Sequence, residues 1–218
     1  MKKVIAIDGP SGSGKTTIAK LIAQELGFNY LDTGALYRAV AIALRAHMIE
    51  PEDSDDMLRD VLGRTFVRFE NGRIFLNDRD VSGEIRSSEI DHYSSVFSAR
   101  RIVRDFLLDA QRQAAYKNDL VVEGRDTTTV VFPDAVKKVF LDASVEERAK
   151  RRYNQFREEG DRLSLDEAVR NIIDRDKRDA GRNIAPLKVA RDALFIDSSD
   201  LSIEQVKKII LDYIKIDP

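Results

Sequence analysis

One segment limits what this 218-residue chain can fold into more than any other. Gly9-Pro10-Ser11-Gly12-Ser13-Gly14-Lys15-Thr16 fits G-x-x-x-x-G-K-[S/T] at every fixed position. The short apolar run Val4-Ile5-Ala6-Ile7 precedes it, as expected of a buried parallel strand. Behind it Ile18, Leu21, Ile22 and Leu26 recur at helical spacing, and Gly27 stands where a helix C-cap would. Strand, glycine-rich loop, helix is the context that gives this spacing its meaning. Glycines let backbone N–H groups converge on phosphate oxygens, and the helix N-terminus adds the positive end of its dipole. The residues from Gly9 to Thr17 are therefore the expected nucleoside triphosphate site. Lys15 is expected to bridge the β- and γ-phosphates, and the Thr16 hydroxyl to ligate Mg²⁺.

Composition narrows the class. The chain has no Cys, which excludes disulfides, thiolate catalysis and Cys-based zinc sites. His47 and His92 are too few for a His-based zinc cluster. A net charge of −2 argues against the broad positive field of a general nucleic-acid binder. The apolar run after Met1-Lys2-Lys3 ends at Asp8, far short of a signal segment or membrane span. The expectation is a cytoplasmic protein without membrane or nucleic-acid partner. Of the 36 basic residues 23 are Arg, the side chain suited to bidentate anion recognition. A guanine-reading N-K-x-D is absent, which removes the GTPases. Asp80-Val-Ser-Gly83 matches D-x-x-G only inside an expected hairpin.

The remaining pattern alternates short apolar strands with helices, which implies a parallel sheet covered on both faces, an α/β fold. Helices are expected at 34–48 and 53–62, then at 84–98 and 99–117. Residues 65–70 and 73–76 read as a hairpin around Asn71-Gly72, with a third small strand in 77–81. Strands follow at 120–122, 136–141 and 193–196. Ser144-x-x-Glu147 and Ser164-x-x-Glu167 read as capping boxes, with Gly160 between their helices. Ser202-x-x-Gln205 caps a last helix with Ile203, Val206, Ile210 and Tyr213 on one side. The whole reads as one domain over 1–218, with an insert at about 60–98 that carries the small sheet.

A small-molecule kinase needs a second anion site facing the loop. Leu31-Asp32-Thr33-Gly34-Ala35-Leu36-Tyr37-Arg38 puts polar groups after a strand and at a helix start. Val122-Glu123-Gly124-Arg125-Asp126 puts charges at a strand's carboxyl end, where open α/β sheets bind ligands. Arg175, Asp179 and Arg182 are spaced to share one helix face.

These segments closely resemble the bacterial cytidylate kinases, a family of P-loop nucleoside monophosphate kinases, over essentially the whole chain. I-D-G-P-S-G-S-G-K-T, L-D-T-G-A-L-Y-R, D-V-S-G-E-I-R, G-R-D, T-V-V-F-P-D-A and R-D-x-R-D-x-x-R carry the resemblance. It implies a P-loop core with a parallel five-stranded sheet, an acceptor-binding insert with a small antiparallel sheet, and a helical lid at about 150–164. It implies that Thr33, Tyr37 and Arg38 lie beside the acceptor phosphate, with Arg125 and Arg182 as the other arginines holding it. Arg175 and Asp179 would look to the ribose hydroxyls, and Ser95, Arg104 and Asp126 to the cytosine ring. Among the lid arginines Arg148, Arg151, Arg152 and Arg157, those meeting ATP are expected to be Arg151, Arg152 and Arg157. The chain departs from the family pattern at Glu123, where Asp is usual. It departs again at Thr127-Thr128-Thr129, where a Gly is replaced and the turn is expected to differ locally. The implied activity is phosphoryl transfer from ATP with Mg²⁺ to CMP or dCMP by a monomer, with Lys15, Arg38, Arg125 and Arg182 as the catalytic cations. UMP or another pyrimidine monophosphate as acceptor, and a nucleic-acid-associated ATPase, stand as alternatives.

Overall fold

Side-chain alternation along the short apolar strands decides where the helices pack. The computed structural model describes residues 2–70, 72–158 and 163–215. In chain order the first elements are β1 (Val4–Asp8), α1 (Lys15–Leu26), β2 (Asn29–Asp32), α2 (Thr33–Ala46) and α3 (Asp55–Leu62). Next come β3 (Val67–Glu70), β4 (Arg73–Leu76), β5 (Arg79–Asp80), α4 (Ser88–Phe97) and α5 (Arg101–Lys117). Then follow β6 (Leu120–Gly124), β7 (Lys137–Asp142), α6 (Val145–Glu158), α7 (Leu165–Gly181), β8 (Leu194–Asp197) and α8 (Ile203–Lys215). Five strands form one parallel sheet in the order β2-β6-β1-β7-β8. On one face Val4, Ala6, Leu31, Leu120 and Val122 pack with the buried sides of α2, α3 and α5. On the other face Ile5, Ile7, Val121, Val139, Leu141 and Ile196 meet Ile18, Ile22, Val206 and Ile210 of α1 and α8. The period of two thus splits β1, β2 and β6 between two apolar layers, while β7 and β8 give theirs to the second.

The insert has the expected antiparallel sheet, β3-β4-β5, and its Val67, Ile74 and Leu76 join the core beneath α2. Glu70 pairs with Arg73, which leaves a two-residue connection. Asn71 of that connection, and Gly160 with residues 159–162 of the expected lid, lie outside the described residues.

Four local expectations change. The helix expected over 84–98 is two pieces. A 3₁₀ turn covers Glu84–Arg86, extended Ser87 breaks it, and the Ser87 hydroxyl caps α4 by accepting from the Ile90 N–H at 3.2 Å. The Ser164–Glu167 and Ser202–Gln205 boxes are complete. The Ser144–Glu147 box is only half made, because the Ser144 N–H donates to Ser199 Oγ at 2.8 Å and Glu147 accepts from Arg151 instead. On α8, Val206 and Ile210 are buried, but Ile203 is 52% exposed at the mouth of the cleft described below. Arg182 has left α7: it is the C-cap, with φ −60° and ψ 136°.

Candidate active site

The sheet register gathers acids at its carboxyl edge. Asp8 stands opposite Gly124, Ile7 opposite Glu123, and Asp32 of β2 opposite Glu123. The loop from β1 to α1 crosses this edge. Gly9 has φ 155°, and a Cβ there would lie 1.9 Å from the Leu141 carbonyl oxygen. Gly14 caps α1 in the left-handed region at φ 94°. A side chain at Gly9 would have to move backbone, and one at Gly14 would be strained by its left-handed φ although it would meet no clash.

Lys15 is buried, and its Nζ donates to the Pro10 carbonyl at 2.6 Å and lies 3.3 Å from Ser13 Oγ. Burial lowers its pKa from the usual lysine range, and the positive charge of Arg125 lowers it further; Glu123 and Asp8 act the other way. Glu123 is buried beside it and its pKa is raised, first by burial and then by Asp32. Tyr30 donates its hydroxyl to Glu123 Oε1 at 2.7 Å, and the Thr33 hydroxyl donates to the Glu123 carbonyl at 2.7 Å. The extra methylene of Glu123 thus reaches the tyrosine of the neighbouring strand.

A cleft of about 750 Å³ runs from the loop to the insert. Ser11 to Thr17 line one end. Thr33, Tyr37, Arg38, Ser95, Arg104, Arg125, Asp126, Arg175, Asp179 and Arg182 all line it further along, as do Arg151 and Arg152. Arg157 is exposed and does not line it, nor does Arg148. Arg148 is a brace. Its Nε donates to the Ala143 carbonyl at 2.8 Å, its Nη1 to the Ser11 carbonyl at 3.2 Å, and its Nη2 pairs with Asp176 at 2.7 Å. Gly9 and Pro10 lie under the loop rather than on the cleft surface.

Acids hold the arginines in place. Arg38 Nη2 pairs with Asp32 Oδ2 at 2.9 Å, while Asp32 Oδ1 caps α2 by accepting from the Ala35 N–H at 3.0 Å. Arg125 Nε donates to Asp179 Oδ2 at 3.0 Å, and Arg182 Nη1 lies 3.9 Å from Asp179 Oδ1. Burial opposes the charge on Asp179, but Arg125, Arg175 and Arg182 together hold its pKa below the usual carboxylate range. Arg104 pairs with Asp126, donates to the Ser98 carbonyl at 3.2 Å and lies over the Tyr37 ring. On two of the cleft-lining arginines, Nε and Nη2 of Arg182 and Nε of Arg175 are buried with no protein partner. Buried guanidinium N–H groups left over in a cleft point to an anionic ligand.

The turn after β6, where threonines stand and a local difference is expected, needs no left-handed residue. None of Thr127, Thr128 and Thr129 takes a positive φ. Thr127–Val131 forms a single π-type turn instead. The Asp8 carboxylate secures it, accepting from the N–H groups of Thr127 and Thr128 at 3.0 and 2.7 Å and from both hydroxyls at 2.6 Å. The hydroxyls that threonine adds are thus the groups that tie the turn to β1. Sequence reasoning missed Asp8, Asp32, Asp91, Ser98 and Arg178. Asp32 carried a usable signal as an N-cap acid before a helix, and Arg178, which donates to Ser95 Oγ at 3.2 Å, lies one turn from Arg175 and Arg182. Asp91, one of several acids on the insert, carried none.

Comparison with known proteins bears on the same arrangement. A sequence model described as cytidylate kinase matches residues 5–216. A cytidylate kinase of Thermodesulfovibrio yellowstonii is 49% identical over 215 residues, covering 97% of each chain. One of Thermosipho melanesiensis is 49% identical over 211 residues, covering 97% of this chain and 96% of its own. Among solved structures, an uncharacterized protein from Eubacterium ventriosum superposes with a TM-score of 0.56 at 14% identity, covering 99% of both chains. A shikimate kinase from Bacteroides thetaiotaomicron does so at 0.50 and 14% identity, covering 98% of this chain and 99% of its own. Those two speak for the fold alone. With a family match over nearly its full length and relatives at half identity, this chain belongs to the cytidylate kinase family.

Proposed function

We propose that the chain transfers the γ-phosphoryl group of ATP to CMP or dCMP, giving ADP and CDP or dCDP. The observation that carries the reading is the single cleft in which the glycine-rich loop faces three acceptor-side arginines, Arg38, Arg125 and Arg182. One non-bridging oxygen of the acceptor phosphate attacks the γ-phosphorus, the bond to the β–γ bridging oxygen breaks, and ADP leaves with that electron pair. An acceptor phosphate is already a nucleophile, so no base is needed. The work left to the protein is alignment and neutralisation of charge. Lys15, the loop N–H groups and Arg151 and Arg152 hold the donor; Arg38, Arg125 and Arg182 draw the acceptor phosphate in against its repulsion.

The donor set suits Mg²⁺, because the Thr16 hydroxyl opens on the cleft close to the Glu123 carboxylate, and hard oxygen ligands are what that ion takes. Thr16 and the nucleotide phosphates would hold it, with Glu123 behind. Bound there, it would neutralise charge on the transferring group. The Asp8 oxygens, committed to Thr127 and Thr128, are not offered to it.

Base choice rests on Asp126, Arg104 and Ser95. The cytosine amine donates where uracil has a carbonyl, so an acceptor in the pocket favours CMP by on the order of 10²-fold. On this reading the enzyme is a cytoplasmic monomer working on small nucleotides, with residues at about 60–98 as acceptor insert and about 150–164 as lid, and without membrane or nucleic-acid partner. Replacing Asp126 by Ala tests the assignment. The CMP-to-UMP ratio of kcat/KM should fall towards unity, and an unchanged ratio would remove Asp126 from base recognition.

A further inference from the structure

Among the described residues, Asp91 of α4 is the one acid in the cleft that touches arginines of three other helices. Its Oδ2 accepts from Arg152 Nη2 of α6 at 2.6 Å and from Arg175 Nη1 of α7 at 2.7 Å. Its Oδ1 lies 3.9 Å from Arg38 Nη1 of α2. Those three guanidiniums belong to different parts of the proposed reaction: donor phosphates, acceptor ribose and acceptor phosphate. Asp91 also stands between the main cleft and a second cavity of about 220 Å³ under α4, α6 and α7, and lines both.

Burial disfavours the charge on Asp91, yet Arg175, Arg152 and Arg38 outweigh it and keep the carboxylate ionised. Its side chain is 20% exposed, so water screens these pairs only in part. A half-buried carboxylate with hydrogen bonds to two guanidiniums fixes both in direction, because each fork is planar. Arg38 is held from the opposite side by Asp32, and the two acids set its tilt between them. No apolar packing argument explains an acid here, because Asp91 stands on a helix side that faces arginines rather than core.

We propose that Asp91 is a positioning residue that ties the donor-side arginine Arg152 to the acceptor-side arginines Arg175 and Arg38. Through it the lid helix α6, the insert helix α4 and α7 share one anchor, and the cations that neutralise the transferring group are preset before chemistry. The inference rests on the CMP kinase reading above. Misplaced cations cost most in the transition state, where charge on the transferring group must be met by groups already in place. The loss should therefore fall on kcat more than on KM.

Steady-state kinetics with ATP and CMP each varied, on wild type, Asp91→Asn and Asp91→Ala, tests this. The Ala variant puts no new N–H donor beside three guanidiniums and guards against an artefact of the amide. Both variants should lose about tenfold in kcat while KM for either substrate moves less than about threefold. Asp91→Glu, which keeps the charge, should recover at least half of the lost factor. In Arg152→Met, adding Asp91→Ala should lower kcat by less than the full Asp91→Ala factor, because one of its three arginine contacts is already gone while those to Arg175 and Arg38 remain. Wild-type kcat in both Asp91 variants, or full multiplication of the Asp91 and Arg152 effects, overturns the proposal. So does a lowered unfolding midpoint with unchanged kcat, which would make Asp91 a stabilising contact only. A wild-type protein that does not phosphorylate CMP would instead overturn the function itself, and the two failures are read from different samples.

Discussion

At the scale of single residues, the account depends on which charges are fixed and which are spare. Lys15 is the main case. Its ammonium is buried and its pKa is lowered by that burial and by Arg125. The protonated form is the one that can hold phosphate. As pH rises through the lowered pKa the site loses this charge, so kcat/KM for ATP should decline below the ordinary lysine range of about 10.4. A profile flat to about pH 10 would show that Lys15 keeps its ordinary affinity for the proton. Lys15→Ala should lower rates for every acceptor alike, by 10²-fold or more on the order seen when one preset donor is removed. Full kcat in that variant would displace Lys15 from the donor site. Lys15 and the loop glycines were legible because their spacing is dictated by phosphate geometry. Arg38, Arg125, Arg175 and Arg182 were legible through family resemblance, while their anchors were not. Asp179 was expected at the ribose but accepts a hydrogen bond from Arg125, and Asp91 has no local pattern at all. Partners 54 and 84 positions apart in sequence leave no periodic trace.

At the scale of elements, the turn after β6 decides how firmly Asp126 is held. Threonine at the glycine position led to an expectation of altered geometry, and the structure answers with a π-type turn tied to Asp8 by four hydrogen bonds. Asp8→Ala leaves two buried N–H groups and two hydroxyls without their acceptor. Each such loss costs about 1–3 kcal/mol, offset in part because the burial penalty on the Asp8 carboxylate is also removed. A net destabilisation of about 2–4 kcal/mol should lower the thermal midpoint by roughly 5–15 °C. An unchanged midpoint by calorimetry would mean that the turn stands without Asp8. Capping was read well where the box residues were local and unopposed, as at Ser164 and Ser202. It was misread at Ser144, because Ser199, distant in sequence, took the N–H. The arginines of α6 divide by helix geometry: Arg151 and Arg152 line the cleft, Arg148 braces the loop from behind, and Arg157 is exposed.

At the scale of the whole molecule, the sheet supplies an edge, the loop supplies a phosphate cradle on it, and α2, the turn after β6 and the end of α7 supply the opposing arginines. The α/β alternation and the small antiparallel sheet could be read from apolar periods and a turn dipeptide, because both obey short-range rules. Strand order could not be read from periodicity. It follows from crossover handedness and from which apolar face each helix covers; the family likeness implied five parallel strands without their order. The 23 arginines first stood out as an excess over lysine. Many serve as braces or surface partners, such as Arg148 with Asp176, and a smaller group converges on the cleft. The most direct test of the central claim is the initial rate of ADP release with ATP and a panel of CMP, dCMP, UMP and dTMP. The account predicts turnover with CMP or dCMP and a preference over UMP on the order of 10²-fold in kcat/KM. Equal rates with UMP and CMP, or no acceptor-dependent ADP release, would contradict it.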